Sequence, residues 1–527
     1  MNRNLFRSHA TPGATARNLA GGRAYAMAPR HALAQFAATG CFNATYYADA
    51  ETQLHTVLDL CRRVDDSAFI AKLAVYTRER SHMKDMPAFL LAVLAARADG
   101  GAYLEAVFDR VIDSSKMLSN FVKVIRSGVT ARKSLGSRPK RLVAQWLARR
   151  SDQAVFHASA GVADPSLADV IRMVHPKPAN DSRQALYGYL SGRNRAEHAV
   201  DASKLPDSVQ HYEAFKASPH DVAMPDVPYS MLTSLSITPD HWRQIAMNGS
   251  WQMVRQNLNA FARHAVFDDA KVTAHVAAKL RSRDAISRAR AMPYQLMSTY
   301  LHADADIVPR EVRDALHDAM EIAVANVPEI DGRVVVCPDV SGSMSSPVTG
   351  YRPGAATKMR CIDVAALVSA AMLRKNPHAR VIPFEQDVVP LAKLKLEPRD
   401  TILTNAHRLA SIGGGGTNCS APLALLNRER AELDLVVYVS DNESWADRGH
   451  GPGTAMMAEW MHLKARCPRA RLVCIDIVPN GTAQSVERPD SINVGGFSDE
   501  VFSLVATAAR GETDAEHWLR VIESVTL

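Results

Sequence analysis

Five oxygen-bearing side chains occur in three short groups within the C-terminal part of this 527-residue chain. The first group is Asp339-Val340-Ser341-Gly342-Ser343, the second is Thr417 after four consecutive glycines, and the third is Asp441. Carboxylate and hydroxyl oxygens are hard ligands that suit Mg²⁺, or Mn²⁺, rather than a metal that prefers thiolates. The residue types therefore predict a divalent-metal site with these ligands: Asp339, Ser341, Ser343, Thr417 and Asp441.

The elements that must position these groups alternate between strand and helix. Strands are expected over 333–337, 380–384, 433–440 and 471–477, with helices over 359–374 and 454–465. This alternation predicts a parallel sheet, and the continuous apolar runs indicate strands covered by helices on both faces. The fold class expected for residues 328–527 is a doubly wound, Rossmann-like α/β domain, which binds ligands at the carboxyl ends of its strands. Asp339 and Asp441 each follow such a strand.

Two other interpretations of these residues were weighed against the metal. A turn capped by Asp339 and Ser341, with Thr417 capping a helix, would need no ion; three groups in this order, each at a strand end, favour the metal. An enzyme is the second interpretation, but Ser341 lies in no Gly-x-Ser-x-Gly motif and has no histidine base beside it. The loops also hold no Lys or Arg before Arg448, unlike a phosphate-transfer site. We expect a protein that is not an enzyme.

The N-terminal part has a different pattern. From about residue 30 to 326 the apolar residues recur at helical spacing, as in Phe89–Leu94, and no stretch alternates like a strand. The helices are short and are separated by Gly, Pro and Asp or Ser caps. Many short helices predict stacked hairpins of the HEAT-like solenoid kind over residues 1–327, although the sequence shows no clean repeat period.

Positive charge is concentrated in this helical part. Residues 1–330 hold 41 Lys and Arg against 32 Asp and Glu, whereas residues 331–527 hold 21 against 23. Residues 121–150 contain no acid but nine cations: Lys123, Arg126, Arg132, Lys133, Arg138, Lys140, Arg141, Arg149 and Arg150. A solvated helix face is one explanation, but such a face usually interleaves both signs of charge. The segment therefore predicts a surface that binds a polyanion.

Aromatic residues near the basic segment favour single-stranded nucleic acid as that polyanion. Four aromatic residues lie in or beside the segment: Phe121, Trp146, Phe156 and His157. Proteins that bind single-stranded nucleic acid combine phosphate contacts with stacking of bases on aromatic rings. Trp146, at helical spacing from Leu142, is better explained as a core residue.

Cysteine usage and hydropathy bear on the compartment. The seven cysteines are far apart and odd in number, which predicts neither a disulfide framework nor a zinc knuckle and fits a reducing, cytoplasmic setting. No apolar run approaches the roughly 20 residues needed to cross a bilayer, so no membrane association is expected. The acid-free segment before Asp49 is interpreted as a basic arm or first helix rather than a transit peptide.

The metal motif resembles the metal-ion-dependent adhesion site of von Willebrand factor A domains. All five positions of that motif are present. The resemblance implies that Asp339, Ser341 and Ser343 lie closest to the ion. Thr417 and Asp441 would contact it directly or through water. One coordination position would stay open for an oxygen ligand from a partner protein.

The helical part and its junction with this domain resemble the Ro ribonucleoprotein autoantigen family, whose members join a TROVE module to a von Willebrand A domain. The chain is identified as a bacterial-type member. The stretches that carry the resemblance are Asn18–Gly22, Thr45–Tyr47, Lys140–Trp146, Leu167–Pro178, Leu232–Trp242, Asp441–Ser444 and Val494–Phe497. Together they span nearly the whole chain.

The resemblance implies a ring of helical hairpins closed by the A domain. Small non-coding Y RNAs would bind its basic outer face, and misfolded RNAs would insert single-stranded 3′ ends into the central hole for RNA quality control with a 3′ exoribonuclease as partner. By position, Lys140 and Arg141 would pair with phosphates, and His175 would hydrogen-bond or stack. The remaining candidate RNA contacts are Lys177, Arg126, Lys133 and Arg138.

The sequence departs from the family pattern at two places. Arg23 replaces the aromatic residue expected after Gly21-Gly22, and residues 182–227 align poorly. The competing class is a metal-dependent protein-adhesion scaffold, in which the ion binds a partner's carboxylate and the basic face has no role with RNA.

Overall fold

In the computed structural model the described residues are 11–40, 42–161, 163–192, 200–289, 291, 293–324, 327–351, 359–390, 394–446, 451–496, 498–513 and 516–527. Cys41, Arg448 and Phe497 lie outside them. The described chain is a helical N-terminal region followed by an α/β domain with a five-stranded parallel sheet. The fold class predicted from the sequence is therefore confirmed.

The helical region runs from α1 to α19. The helices are α1 (Pro29–Thr39), α2 (Ala50–Arg63), α3 (Ser67–Glu79), α4 (Asp85–Ala96), α5 (Gly100–Val111), α6 (Ser115–Arg126), α7 (Ser137–Ala148), α8 (Asp152–Ala158), α9 (Leu167–Val174), α10 (Asp181–Leu190), α11 (Asp207–Ala217), α12 (Tyr229–Leu232), α13 (Pro239–Asn248), α14 (Trp251–Gln256), α15 (Leu258–Arg263), α16 (Ala270–Leu280), α17 (Arg283–Arg288), α18 (Pro293–His302) and α19 (Arg310–Ala323). Polar caps begin several of them: the Asp66 carboxylate accepts from the Phe69 amide, and Ser166 forms a capping box with Asp169.

Helices two apart along the chain pack together, which is the pattern of stacked helical hairpins. α3 contacts α5, α4 contacts α6, and α5 contacts α7. α4 is the most enclosed of these, because every residue of Met86–Ala95 is buried. Its sequence is apolar on all sides, so neighbours must cover it all round.

Two short strands precede α1, and the other described strands belong to the second domain. The strands are β1 (Ala16–Arg17), β2 (Arg23–Ala26), β3 (Val334–Pro338), β4 (Arg380–Val381), β5 (Leu435–Ser440), β6 (Arg471–Asp476), β7 (Thr482–Ala483) and β8 (Ser491–Gly495). The described α-helices of the second domain are α20 (Cys361–Lys375), α21 (Ile402–Ala410), α22 (Ala421–Arg428), α23 (Ala455–Arg466), α24 (Asp499–Ala509) and α25 (His517–Glu523). The parallel sheet has the order β4-β3-β5-β6-β8. The sequence argument missed β8 because its alternate residues are polar and no helix separates it from β6.

The strand order places a crevice beside β3. The chain leaves β3 for β4 on one side and then returns to β5 on the other, and ligands bind in such folds where the order reverses. Pro338 pairs with Val439 in register, so Asp339 and Asp441 follow adjacent strands at nearly the same level.

The residues before α1 form a hairpin, where an arm or helix was expected. β1 pairs with β2, and β2 pairs in turn with β7, with Tyr25 opposite Ala483. These residues fall within the first predicted domain, 1–327, and pair with a strand of the second, 328–527. The two sets of bounds stay a prediction.

Both ends of the helical region contact the second domain. At the start, α1 packs against β8 and α25, and α3 packs against α25; at the end, α18 and α19 pack against α20 and α21. The Arg30 guanidinium bonds to Glu523 at 2.7 Å, and Lys72 Nζ donates to the Glu523 carbonyl at 2.6 Å. The helical path thus leaves the second domain and returns to it, as a ring closed by that domain requires.

The cysteines and the length of the apolar helices can be checked over the described part of the chain. Its cysteines are all buried and unpaired. A search of its helices for one able to cross a bilayer finds none.

Candidate functional site

Asp339 is held rigidly at the end of β3. Its amide donates to the Val439 carbonyl at 2.9 Å, and its side chain is fully buried. One carboxylate oxygen accepts from the Ser341 amide at 2.9 Å, and the other accepts from the Ser440 hydroxyl at 2.6 Å. The carboxylate therefore has a fixed orientation within the crevice.

Ser341 and Ser343 follow in a tight turn of 3₁₀ helix over Gly342–Ser345. Their hydroxyl oxygens lie 3.3 Å apart, and both side chains are buried. Ser343 and Asp441 line the same small pocket, which brings the first group beside the third. The predicted ligands that follow β3 and β5 therefore lie close together.

The glycine loop presses against this turn. The Gly342 amide donates to the Gly415 carbonyl at 2.9 Å, and the Gly414 amide donates to the Val340 carbonyl at 3.0 Å. Gly413 has a φ of +93°, and a Cβ there would lie 2.0 Å from the Val340 carbonyl oxygen. Only glycine permits this approach. The loop leads into Thr417, which is buried and whose carbonyl accepts from the Trp445 amide at 3.1 Å.

Burial gives the two aspartates an unusual electrostatic state. The pKa of Asp339 is raised above its ordinary value, first by burial and then by the negative charge of Asp441. Burial likewise raises the pKa of Asp441. Neither carboxylate forms an ion pair with Lys, Arg or His within the described chain. Two buried carboxylates close to the Ser341 and Ser343 hydroxyls suit a hard divalent cation, which would supply the missing positive charge.

The described residues do not contain a metal site built from a cluster of His, Cys, Asp or Glu side chains. No group of three or more His, Cys, Asp or Glu side chains that could hold an ion occurs among them. A donor set of two carboxylates and three hydroxyls is the one that the sequence predicted, and it leaves coordination positions for water.

The loop after Asp441 contacts the N-terminal hairpin. The Asn18 side-chain amide donates to the Ser444 carbonyl at 2.7 Å, and the Ala20 amide donates to the Glu443 carboxylate at 3.0 Å. Gly22 lies so close that an added Cβ would be 1.9 Å from the Ser444 oxygen. Two stretches that carried the family resemblance separately are therefore one contact in the structure.

Three residues of this region were not predicted as parts of the site: Ser440, Glu443 and Tyr47. Ser440 orients Asp339, and Glu443 is buried with its pKa raised to about 8, mainly by that burial. Tyr47 lies between α1 and α2 and lines a small pocket together with Ser343 and Asp441. The acids around Asp441 were visible in sequence, but no sequence pattern places Tyr47 beside Ser343.

The predicted RNA contacts come from three neighbouring helices. Arg126 ends α6, Lys133 lies in the loop before α7, and α7 carries a further set: Arg138, Lys140 and Arg141. His175 and Lys177 follow α9, which packs against both α6 and α7. All seven side chains are exposed, so they can face one partner. We call this set the basic surface.

The segment 121–150 contains no acidic residue, but several of its arginines form ion pairs with acids from another helix. Glu105 of α5 bonds to both Arg138 and Arg141, and Asp109 of α5 pairs with Arg149. The partners come from the adjacent hairpin, which sequence distance conceals. Three lysines keep no ion pair within the described chain: Lys133, Lys140 and Lys177.

Three of the four aromatic residues named near the basic segment are buried and do not provide stacking surfaces. Phe121, Trp146 and Phe156 are each at most 1% exposed. Trp146 Nε1 donates to the Ile112 carbonyl at 2.6 Å, so this indole is a core residue, as its spacing indicated. His175 differs from these residues, because it ends α9 in the left-handed region at φ +50° and its side chain is exposed.

A cleft of ≈ 620 Å³ opens between the end of the helical region and the second domain. Its lining includes cationic side chains from the helical part, such as Lys84 and Arg255, together with Thr349 of the second domain. The Arg255 guanidinium donates to the Gln295 carbonyl at 2.8 Å, and burial lowers its pKa to about 10. The cleft is therefore polar and positively charged.

Comparison with known proteins agrees with both parts of this architecture. Residues 333–508 match the family model described as the Ro60 vWA domain. A protein of Deinococcus radiodurans named RNA-binding protein RO60 is 28% identical over 94% of this chain and 95% of its own length. A Caenorhabditis elegans protein of the same name is 22% identical over 34% of this chain and 28% of its own length.

A solved structure extends the likeness to the fold. The crystal structure of the Deinococcus radiodurans RO (RSR) protein superposes with a TM-score of 0.62 at 24% identity, covering 92% of this chain and all of that one. The similarity therefore includes the helical region as well as the α/β domain.

Proposed function

Because this chain belongs to the Ro family, we propose that it binds RNA through the basic surface and takes no catalytic part itself. The observation that carries the proposal is a set of three exposed lysines, Lys133, Lys140 and Lys177, which form no ion pair with any described residue and lie on segments brought together by the packing of α9 against α6 and α7. Lysines without carboxylate partners are available to phosphates, and this contact supplies most of the affinity for a nucleic acid. The relatives' names point to the same ligand class.

The proposed ligands are small structured RNAs of the Y type and misfolded RNAs. Helical RNA presents rows of phosphates, which suit the lysines of the basic surface. A single-stranded 3′ end is smaller, and we propose that it enters the cleft of ≈ 620 Å³ beside Arg255. The scaffold would then present such ends to a 3′ exoribonuclease during RNA quality control in the cytoplasm.

We also propose that Asp339, Ser341, Ser343, Thr417 and Asp441 hold a divalent ion, Mg²⁺ in preference to Mn²⁺. The support is the pair of buried carboxylates that lack a cationic partner within the described chain. The ion would neutralise these charges and fix the loops that carry the ligands. No bond-making step is assigned to it.

Binding across a salt series tests the RNA proposal. The probe is a structured RNA with a free single-stranded 3′ tail, and the variant is Lys140→Glu combined with Lys177→Glu. Each lost phosphate contact is expected to reduce the slope of log K against log salt by about 0.7 to 0.9. Lys271→Glu is the matched control, because Lys271 is exposed on α16, outside the basic surface. Absent or salt-independent binding by the unaltered chain would overturn the proposal and favour the adhesion scaffold.

A further inference from the structure

We propose that Tyr47 closes the metal site from within the chain, so that the bound ion holds the N-terminal region against the second domain instead of gripping another molecule. This inference rests on the metal binding proposed above. It changes the role of the open coordination position, because that position faces a side chain of the same protein.

The first observation is the position of Tyr47. Tyr47 lines the same small pocket as Ser343 and Asp441, two of the predicted ligands. Burial, followed by the negative charges of Asp441, Glu443 and Asp339, raises the pKa of this phenol. A residue from the loop between α1 and α2 thus lies beside the predicted ligands.

The second observation is that the loop carrying Tyr47 is fixed to the second domain by its backbone. The Tyr351 amide donates to the Ala44 carbonyl at 2.6 Å, and the Asn43 side chain donates to the Thr349 carbonyl at 2.9 Å. Gly350 has a φ of +71°, and a Cβ there would lie 2.7 Å from the Ala44 oxygen. This close fit indicates a built contact rather than a loop resting on the surface.

The third observation is the small space that remains above the ligands. The enclosed pocket there measures ≈ 20 Å³ and is lined by residues of both regions, among them Leu19, Tyr46, Tyr47, Ser343 and Asp441. One water molecule needs about 10 to 15 Å³ on this measure. The pocket has room for a small cation or a water molecule, and a partner's carboxylate side chain would have to displace Tyr47.

The N-terminal hairpin reaches the same pocket through Leu19. Asn18 and Ala20 bond to the loop that follows Asp441, as described above. Two separate segments before α2 therefore contact the site, and both are distant in sequence from its ligands. Because binding and docking share these contacts, each must strengthen the other by the same factor.

The test uses the full-length chain, Mg²⁺ titration by calorimetry, and amide hydrogen exchange with and without Mg²⁺. The expected result is slower exchange over residues 18–22 and 43–47 when Mg²⁺ is bound. Tyr47→Phe removes only the hydroxyl, in the pocket that Tyr47 shares with Ser343, and is expected to weaken Mg²⁺ binding roughly 2- to 10-fold, the range for one polar contact. Tyr46→Phe is the matched control, because Tyr46 packs edge-on against Tyr47 but is 59% exposed.

Acetate serves as a probe of the open position. The Mg²⁺-loaded chain is expected to bind acetate weakly or not at all, and Tyr47→Ala is expected to bind it more tightly. Tight acetate binding by the unaltered chain, or Mg²⁺ protection confined to the ligand loops, would overturn the inference. No Mg²⁺ binding by any variant would overturn it together with the metal proposal. RNA affinity is measured separately, so failure of the RNA proposal is distinguishable.

Discussion

Trp518 Nε1 donates a hydrogen bond of 3.0 Å to the Tyr76 hydroxyl, joining the last helix of the second domain to the third helix of the chain. Both side chains are at most 2% exposed. The indole also lies edge-on to His31 of α1, with ring centroids 5.4 Å apart. Three elements from the two regions thus meet in one buried contact, and this contact closes the helical path.

Trp518→Phe is expected to destabilise this closure. The substitution leaves the buried Tyr76 hydroxyl without its donor, which costs about 1 to 3 kcal/mol, in addition to the lost ring volume. The measurement is the midpoint of urea unfolding. Adding Tyr76→Phe removes the unpaired hydroxyl, so the double variant is expected to lose less than the sum of the two single variants. Strict additivity would show that the hydrogen bond contributes nothing.

Gly22→Ala is expected to disrupt the docking of the N-terminal hairpin. Its Cβ would lie 1.9 Å from the Ser444 carbonyl oxygen, so the backbone must move at a cost of about 1 to 3 kcal/mol. Thermal unfolding and protease cleavage near residue 20 report the change. Gly13→Ala is the control, since a Cβ there meets nothing within 4 Å. Equal behaviour of the two variants would contradict the close contact.

Glu105→Gln is expected to strengthen RNA binding. Glu105 bonds to Arg138 and Arg141, so its removal frees two guanidinium groups of the basic surface. The salt slope is expected to steepen by up to about 0.7 to 0.9 for each new phosphate contact. Glu79→Gln frees Arg110, outside the basic surface, and is expected to have little effect. Weaker RNA binding by Glu105→Gln would show that Glu105 positions these arginines productively.

Asp339→Asn is expected to abolish Mg²⁺ binding and to leave RNA affinity nearly unchanged. The substitution removes a charged ligand while keeping the side-chain shape, and the basic surface lies on other elements, α6 to α9. Calorimetry measures the first effect and RNA titration the second. Parallel loss of both would mean that the ion supports the basic surface through the domain contacts.

His31 is expected to make stability fall in mild acid. Burial lowers its pKa from 6.5 to about 4, so the unfolded chain binds a proton that the folded chain refuses between these values. Stability contributed by the neutral ring is therefore present above pH 6.5 and is lost as pH falls towards 4. The loss reaches about 3 kcal/mol at the lower end.

The pH test compares the unaltered chain with His31→Gln, which keeps a side-chain amide able to reach the Asn493 carbonyl. Glu487 lies 3.9 Å from His31, and burial raises its pKa to about 7, so its contribution has the opposite sign between pH 4.5 and 7. Because Glu487 is present in both chains, the difference in unfolding free energy between them isolates His31. A difference that does not vary with pH would contradict the assignment.

The parts of the site that could be predicted from sequence are those fixed by strand ends. Asp339 and Asp441 follow strands whose apolar runs are unmistakable, so their proximity follows from the doubly wound fold. β8 escaped prediction because alternate residues of this buried strand are polar; the Asn493 side chain, for example, donates to Glu487 of the preceding loop at 2.6 Å. The apolar pattern used to find strands does not reveal a buried strand of this kind.

The basic surface was also only partly predictable from sequence. Lys140 and Lys177 could be named from the family resemblance, but the neutralisation of Arg141 by Glu105 depends on which hairpin stacks on which. Likewise, nothing near Tyr47 in sequence indicates a metal site. Contacts between segments far apart in sequence decide these features, and no periodicity encodes them.

The pairing of β2 with β7 has a consequence for biosynthesis. Tyr25 leaves the ribosome long before Ala483, its partner in the small sheet, exists. At about 5 to 20 residues per second, the first strands wait roughly 25 to 90 s for that partner. During translation the hairpin edge is exposed to other chains, and a nascent-chain chaperone that shields residues 16–26 is expected to raise the yield of folded protein.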